Sequence, residues 1–367
     1  MKKKLLKNTE WTVLIVSLLL LGIGLIALFS ATQGTEYVEF KKQIQWFLIS
    51  IPFLILAYFI DYNLIARFST VIYIVSIGLL VGVLFTEPIN GARSWYQFGK
   101  TTLQPSELSK IVVILFISFL INKLQIRGRK EINKIWKLII ALLFMAIPIG
   151  LIIIQPDYGT AMAYVIAMLF ILFVSGIDKK YIITACLVVA ILVPVVYKNL
   201  PTHALERIEV FLNPESDPRG KGYNIIQSKL AIGAGQLVGM GLLQGNQTQL
   251  GFLHPKTTDF IFSVIGEELG FIATAAILVL YVVLITKIIY IAKTAKDNIG
   301  SYIAIGIGGI FFFHMLENIG MTIGLLPITG VPLPFVSYGG SSLVTNFICI
   351  GLLLNISARR QKSYLES

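Results

Sequence analysis

Residues 11–30 read WTVLIVSLLLLGIGLIALFS, an apolar run that contains no charged residue. About twenty apolar residues are enough for a helix to cross the hydrocarbon core of a bilayer. The run resembles a secretory signal peptide because basic residues precede it, namely Lys2, Lys3, Lys4 and Lys7. It has no obvious small-residue cleavage site, however, and many similar runs follow it. We therefore predict a first transmembrane helix that is retained in the mature protein.

The same pattern recurs along the chain. Of the 367 residues, 56% are hydrophobic and 13% are charged, whereas a soluble domain carries roughly 25% charged residues. This composition predicts an all-α polytopic membrane protein with short connections. Hydropathy and length indicate ten transmembrane helices, at residues 11–30, 44–60, 68–86, 107–122, 136–154, 160–176, 181–197, 260–286, 300–325 and 338–358.

The basic residues predict the orientation of these spans. Most of the Lys and Arg residues lie in alternate connections, which the positive-inside rule assigns to the cytoplasm. Both termini are then cytoplasmic, and the long loop 198–258, between helices 7 and 8, is extracellular. Within this loop Tyr223, Ile226 and Leu230 recur at helical spacing and predict a short amphipathic helix on the membrane face. We treat residues 1–367 as one membrane domain.

Composition also excludes several classes of function. The net charge of +11 is scattered through connections without an aromatic-laced basic face, so we expect anionic lipid headgroups as partners and no nucleic acid. Cys186 and Cys349 both fall inside apolar spans, where they are expected to be small buried hydrophobes. The chain has only three histidines and none of the familiar motifs of soluble nucleotide-binding or hydrolytic enzymes.

One acid stands out as a candidate catalytic residue. The extracellular loop ends in TTDFIF, so Asp259 lies where the chain returns from water to an apolar span. Carboxylates in that position are costly and are usually functional. Glu267 and Glu268 lie about 12–14 Å farther along a helix and cannot form a carboxylate pair with it. We interpret them, with Glu317, as structural acids, for which Lys110 is the nearest cation by depth.

Three other polar segments are expected on the same outer side. The first, GARSW, contains Trp95, which is either an interfacial anchor or a substrate contact. The second, LQPSELSK, places Glu107 and Lys110 three residues apart, on one face of a helix. Their pair either seats the helix or belongs to a site. The third, QPDYGT, contains Asp157, which either caps a turn or contacts substrate.

The extracellular loop supplies cations. Arg219, Lys221 and Lys229 occur near glycines, a combination suited to holding phosphate oxygens. The alternative is a solvated charged loop that meets lipid headgroups.

The quoted segments together resemble the SEDS family (shape, elongation, division and sporulation), and its RodA branch in particular. The similarity covers nearly the whole chain. It includes the ten-span layout and the further stretches RIEVFLNPESDPRGKGYNIIQSKLAIGAG, TTDFIFSVIGEELG and ENIGMTIGLLPITGVPLPFVSYGGSS. In one place the chain departs from it, because many members carry Pro-Glu-x-His where this sequence has His254-Pro255-Lys256-Thr257. Roles of that Glu or His in relatives are therefore not transferred.

The resemblance implies a peptidoglycan glycosyltransferase of the bacterial cytoplasmic membrane, acting in cell elongation and rod shape. Its substrate would be lipid II, a disaccharide-pentapeptide on undecaprenyl pyrophosphate, polymerised at the outer face. Its partner would be a class B penicillin-binding protein, a transpeptidase. The family's essential acid corresponds to Asp259 and its important tryptophan to Trp95. Ser337, in PFVSYGGSS, joins Glu107, Lys110, Asp157, Lys221 and Lys229 as expected substrate-binding residues.

The expected chemistry is one inverting displacement. Asp259 would act as general base on the acceptor hydroxyl. Lys221, Lys229, Lys110 or a divalent cation such as Mg²⁺ or Mn²⁺ would offset the pyrophosphate charge. The sequence leaves open whether Asp259 holds such a metal instead.

Two alternatives belong to other classes. One is a transporter or flippase of lipid-linked precursors, which would concentrate its polar residues at the membrane midplane between repeated halves. The other is a non-catalytic scaffold of the wall-synthesis complex.

Overall fold

The computed structural model describes residues 6–89, 91–99, 101–198, 205, 209–217 and 220–360. Long helices dominate these residues, and a two-stranded antiparallel hairpin is the only sheet among them. In chain order the elements are α1 (Thr12–Ala31), α2 (Val38–Phe59), α3 (Tyr62–Gly82), β1 (Tyr96–Phe98), β2 (Thr101–Leu103), α4 (Pro105–Leu124), α5 (Ile135–Ile154), α6 (Tyr158–Ser175), α7 (Lys179–Lys198), α8 (Lys221–Ala234), α9 (Asn246–Gln249), α10 (Ile261–Thr294), α11 (Asn298–Thr322) and α12 (Gly340–Ala358).

The predicted fold class, an all-α polytopic membrane protein, is confirmed. A helix lies at each predicted span, and in the described part of the chain eight are long and apolar enough to cross a bilayer. The predicted spans 107–122 and 181–197 fall on α4 and α7, which are not among those eight. The count of ten membrane crossings therefore stays a prediction.

Burial divides the helices into an inner and an outer set. In the most apolar stretch of each helix, 89% of the residues are buried in α12 and 78% in α11, but only 22% in α2. The outer helices keep large apolar side chains exposed, such as Phe53 on α2 and Val71 on α3. A helix with an apolar outer surface is stable only when lipid covers it. We conclude that α11 and α12 form the centre of a bundle whose outer helices face the bilayer.

Helix α10 differs from the single span predicted at 260–286. Its 34 residues would extend about 51 Å as one straight helix, well beyond the roughly 30 Å of a hydrocarbon core. The helix is instead broken at Gly270, whose φ of 76° and ψ of −171° are not helical. The segment 236–241 provides partners for backbone groups on both sides of the break. The Met240 N–H donates to the Glu267 carbonyl (2.9 Å), and the Phe271 N–H donates to the Gln236 carbonyl (2.8 Å).

Both ends of the described chain lie at the same end of the bundle. The Glu10 N–H donates to Ser357 Oγ at 3.1 Å, and the Glu10 carboxylate pairs with Lys287 at 3.2 Å. The α4–α5 connection, rich in Lys and Arg, belongs to this end as well, because Arg129 donates to Asn298 at the start of α11. We call it the basic end. The beginnings of α4 and α6 and the end of α11 lie at the other end, which we call the site end.

Candidate active site

Asp259 lies where the connection between α11 and α12 folds back over the site end. We call residues 323–339 the α11–α12 loop. Asn318, in the last turns of α11, donates through Nδ2 to the carbonyls of Asp259 (3.1 Å) and Val331 (2.9 Å). A methyl group at Gly330 would lie 3.6 Å from Asp259 Oδ2, so the carboxylate borders the loop. Asn318 thereby fixes the backbone of Asp259 through contacts that do not involve its carboxylate.

Ser337 secures the residues immediately before Asp259. Its buried Oγ donates to the Thr258 carbonyl at 2.7 Å and accepts from the Leu333 N–H at 2.9 Å. The Tyr338 N–H donates to the Thr257 carbonyl at 2.9 Å. In this structure Ser337 therefore positions the TTD segment, and its expected contact with substrate stays a prediction.

The predicted pair of Glu107 and Lys110 is present and buried. Lys110 Nζ lies 2.8 Å from Glu107 Oε1 and 3.2 Å from His314 Nε2. His314 Nδ1 lies 3.1 Å from the Pro332 carbonyl, which can only accept, so Nδ1 carries the proton and Nε2 accepts from the ammonium. This chain of contacts links α4 through α11 to the α11–α12 loop, which also borders Asp259.

Asp157 occupies the N-cap of α6 beside this pair. Its carboxylate accepts from the Thr160 N–H at 3.1 Å and from Gln104 Nε2 at 2.9 Å. Burial raises the pKa of Asp157; the bonds from Thr160 oppose the shift, the charge of Glu107 adds to it and that of Lys110 opposes it. Asp157 therefore caps a helix, as one interpretation of its segment predicted, and lies beside the buried polar cluster. Its contact with substrate stays a prediction.

The hairpin places Trp95 at the site end. Trp95 is half-buried next to β1, and its carbonyl accepts from Thr86 Oγ1 at 3.2 Å. Ser94 Oγ donates to the Gln155 carbonyl at 3.3 Å, and Gln155 Nε2 donates to the Leu80 carbonyl at 3.1 Å. These bonds tie the hairpin to the α5–α6 connection that holds Asp157, so Trp95 lies at the same end as the cluster.

Of the three phosphate-binding cations expected in the loop 198–258, only Lys229 has a described side chain. Lys229, on α8, is exposed and its side chain lies over Gly324, where a methyl group would be 2.4 Å from its Nζ. It therefore stands at the start of the α11–α12 loop. Lys221 begins α8, but its side chain lies outside the described residues, as does the whole of Arg219.

Glu267 and Glu268 are structural acids, but their predicted partner is wrong. Glu267 accepts from the backbone N–H of Gln247 (2.6 Å) and Thr248 (2.9 Å) and from Thr248 Oγ1 (2.6 Å). Glu268 accepts from Gln249 Nε2 at 2.8 Å. Both acids thus hold the short helix α9, and the buried lysine of α4 is engaged elsewhere. A carboxylate at the first N–H groups of a helix is a favourable partner for them.

The segment that departs from the family pattern is also anchored to α9. Lys256 Nζ donates to the Thr248 carbonyl at 2.8 Å. Partial burial lowers the pKa of Lys256, against the opposing charges of Glu268 and Glu39. In this chain a lysine therefore attaches the loop just ahead of Asp259.

Sequence reasoning missed Gln43, a buried amide in the first turns of α2. Its Nε2 donates to the Ser337 carbonyl at 3.1 Å, and its Oε1 accepts from the Gly339 N–H at 3.2 Å. The residue thus holds the end of the α11–α12 loop. The available signal was an amide near the beginning of an apolar span, where a buried amide needs a partner.

The possible divalent cation stays a prediction. Within the ranges that the structure describes, no three His, Cys, Asp or Glu side chains are grouped as metal ligands would be. Cys349 is a buried free thiol, as predicted, and the side chain of Cys186 lies outside the described residues.

The fold and site define a polytopic helical membrane protein with a buried polar cluster at one end of the bundle. The family described as "Cell cycle protein", which comprises FtsW, RodA and SpoVE, matches residues 10–362. The chain therefore belongs to this family, the SEDS family, as its sequence motifs predicted.

The similarity extends along the full chain. The Escherichia coli (strain K12) protein "Peptidoglycan glycosyltransferase MrdB" is 36% identical over 370 residues, covering 97% of each chain. A chain solved in a peptidoglycan synthase complex that coordinates polymerization and crosslinking has a TM-score of 0.84 and 27% identity, covering 97% of this chain and 99% of that one. The rod shape determining protein RodA of Thermus thermophilus has a TM-score of 0.72 and 25% identity, covering 97% and 98%. The RodA-like fold is confirmed.

Proposed function

We propose that this chain is a peptidoglycan glycosyltransferase that polymerises lipid II for cell elongation and rod shape. The activity is the one named for its E. coli relative, which matches over nearly the full length of both chains. The observation that carries the proposal is the α11–α12 loop, which borders the carboxylate of Asp259 and contacts the buried Glu107–Lys110–His314 chain.

The proposed orientation puts this site at the outer face of the bacterial cytoplasmic membrane. The basic end of the bundle carries the connections that are richest in Lys and Arg, which the positive-inside rule assigns to the cytoplasm. Both termini are then cytoplasmic, and the site end faces outward, where the cell wall is built.

Asp259 is the proposed general base. The carboxylate removes the proton of the acceptor sugar hydroxyl while that oxygen attacks the anomeric carbon of the donor. The bond from that carbon to the pyrophosphate oxygen breaks, and undecaprenyl pyrophosphate leaves with the bonding electrons. Attack opposite the leaving group converts the α linkage of the donor to a β linkage in one step, with no covalent enzyme intermediate.

The pyrophosphate needs cations, and the candidate lysines differ in their exposure. Lys229 is exposed beside the start of the α11–α12 loop, so its ammonium is available to a phosphate. Lys110 is buried and already paired with Glu107. For Lys110 to bind a phosphate, the phosphate would have to replace that carboxylate. We therefore assign the main phosphate contact to Lys229; Lys221 lies eight residues earlier on α8.

A class B penicillin-binding protein is the proposed partner. Its support is the similarity to a chain solved in a peptidoglycan synthase complex, whose description couples polymerization with crosslinking. A transpeptidase that crosslinks the new strand fits that coupling. Lipid II is the proposed substrate for the same reason.

The position of the polar cluster favours an enzyme over a transporter. Glu107 and Lys110 lie in the first two turns of α4, and Asp157 caps α6. These three are near helix ends and not at the middle of a span, where a transporter would bind its cargo. His314 lies deeper, eight residues before the end of α11.

The proposal is tested by Asp259→Asn. Because Asn318 holds Asp259 through its backbone carbonyl, the substitution removes the negative charge while keeping that contact. We expect polymerisation of fluorescent lipid II to fall at least a hundredfold in proteoliposomes that also contain the partner, since general-base catalysis contributes about 10²–10⁴-fold. The assay includes an inhibitor of class A polymerases.

Asp178→Asn is the matched control. It makes the same change at the start of α7, at the basic end, where Asp178 pairs only loosely with the exposed Lys180 (3.6 Å). It should retain full activity. Polymerisation by Asp259→Asn at the control rate would overturn the assignment of Asp259, and lipid scrambling without polymer from the unmodified protein would support a flippase.

A further inference from the structure

A lateral cavity of about 950 Å³ opens between α5, α6, α7, α10 and α11, in the half of the bundle next to the basic end. Along α7 its lining extends from Tyr181 to Val188, a distance of about 10 Å by helical rise, which is less than the roughly 15 Å depth of one leaflet's hydrocarbon. The cavity therefore fits within a single leaflet.

The cavity opens on the apolar outer surface of the bundle. Its wall residues Leu142, Leu169, Phe173 and Val188 are between 44% and 69% exposed, and all are apolar. In a bilayer, the space outside them is occupied by lipid tails. Its occupant must therefore be able to enter from the membrane with an apolar body.

Cations stand at one end of this apolar wall. Arg129, in the α4–α5 connection, and Lys293, at the last turn of α10, both line the cavity and both are exposed. Arg129 donates through Nε and Nη2 to Asn298 Oδ1 at 3.0 and 2.7 Å. A neutral amide oxygen orients the guanidinium without cancelling its charge.

Nearby acids do not neutralise these two cations. Asp178 pairs with Lys180 at 3.6 Å, and Asp297 accepts from Tyr62 at 2.9 Å and caps α11. No ion pair among the described residues includes either cation of the cavity. The mouth is therefore positively charged, while the rest of the wall is nearly all apolar.

We propose that this cavity binds one anionic phospholipid. An acyl chain lies along α6 and α7, and the phosphate is held between Arg129 and Lys293. Basic pockets between transmembrane helices are known to hold anionic headgroups, and the cationic mouth selects such a lipid over a zwitterionic one. In the proposed orientation the lipid belongs to the cytoplasmic leaflet.

The cavity is distinct from the proposed active site. Ser301, which lines it, and Asn318, which holds Asp259, lie on the same helix α11, about 26 Å apart by helical rise. Lipid binding can therefore be measured independently of polymerisation, and the two proposals can fail separately.

The test measures binding of phosphatidylglycerol and of phosphatidylcholine to the full-length chain in detergent by native mass spectrometry. The unmodified protein should retain one tightly bound phosphatidylglycerol. Arg129→Gln combined with Lys293→Gln should weaken that binding about thirtyfold, because each basic residue near a membrane surface contributes about 1 kcal/mol. Arg127→Gln combined with Lys296→Gln removes the same charge from exposed residues that do not line the cavity, and it should change binding less than threefold.

A second pair of variants tests the apolar part. Ala185→Trp fills the cavity from α7, whereas Ile191→Trp adds the same ring to an exposed position of α7 that does not line it. Only Ala185→Trp should displace the lipid, with the melting temperature of both variants checked first. Equal retention of phosphatidylcholine, equal losses in the two charge variants, or undiminished binding in Ala185→Trp would each overturn the proposal.

Discussion

At the scale of single residues, the proposed site combines an acid beside the α11–α12 loop with a buried ion pair that the same loop contacts through His314. Asp259 is fixed through its backbone by Asn318, and the residues before it are fixed by Ser337 and Tyr338. A base that takes a proton in a displacement must be held in position before substrate arrives. These hydrogen bonds hold the backbone of residues 257–259 and do not use the carboxylate of Asp259.

The buried pair of Glu107 and Lys110 has two interpretations, which a double-mutant cycle separates. Glu107→Leu and Lys110→Met should each lower the free energy of unfolding by about 3–5 kcal/mol, because each leaves a buried charge without its partner. The double variant should recover most of that stability. Since we assign the pair to the site, we expect the polymerisation activity of the double variant to stay low.

Chemical unfolding in mixed micelles and the lipid II assay measure the two quantities. Lys134→Met is the control, because Lys134 is 54% exposed and pairs with Glu131 at 3.1 Å near the surface; its removal should cost about 0–1 kcal/mol. Recovery of activity together with stability in the double variant would make the pair purely structural.

At the scale of elements, the break in α10 and the glycines of the loop 198–258 form one unit. Gly235, Gly239 and Gly270 bring the loop backbone against the backbone of α10, and a methyl group at Gly235 would lie 1.8 Å from the Gly266 carbonyl oxygen. Only glycine permits this approach. The loop then supplies the hydrogen bonds that the helix lacks at its break.

Two neighbouring glycines of this unit test the close packing. Gly235→Ala should destabilise the protein by about 1–3 kcal/mol, as over-packing does. Gly233→Ala makes the same change in α8, where no atom lies within 4 Å of the new methyl group, and it should be neutral or stabilise by up to about 1 kcal/mol. Thermal unfolding in detergent measures both. Equal melting temperatures for the two variants would contradict the packing explanation.

At the scale of the whole molecule, the bundle separates a basic end from a site end. The described chain begins and ends at the basic end, where Glu10 contacts Ser357 and Lys287. The apolar outer faces of α2, α3 and α5 define the belt between the two ends. A protein of this form presents one surface to each side of the membrane, so its orientation decides which compartment the site serves.

Cysteine labelling tests the proposed orientation. In a background of Cys186→Ala and Cys349→Ala, Gln244→Cys places a thiol at an exposed position of the loop 198–258, and Lys134→Cys places one at the basic end. A membrane-impermeant maleimide should label the first in intact cells and the second only after the membrane is permeabilised. The reverse pattern would invert the orientation and exclude catalysis on the wall side.

Much of this molecule was determined by the sequence alone. Apolar runs of membrane length must form helices, because a bilayer offers no partner for an unpaired backbone group. The motifs identified the family, the distribution of Lys and Arg predicted the orientation, and the position of Asp259 at a water–lipid boundary marked it as a candidate. The pairing of Glu107 with Lys110 followed from their spacing on one helix.

The tertiary structure decided which distant residues meet. Glu267 binds the N–H groups of α9 and not Lys110, while Lys110 reaches His314, 204 positions away. The break at Gly270 and the return of the α11–α12 loop to Asp259 also depend on neighbours from other helices. Hydropathy records whether a residue meets lipid or protein, but it carries no information about which helix lies beside which. The contacts that position the acid therefore appeared only when the bundle was assembled.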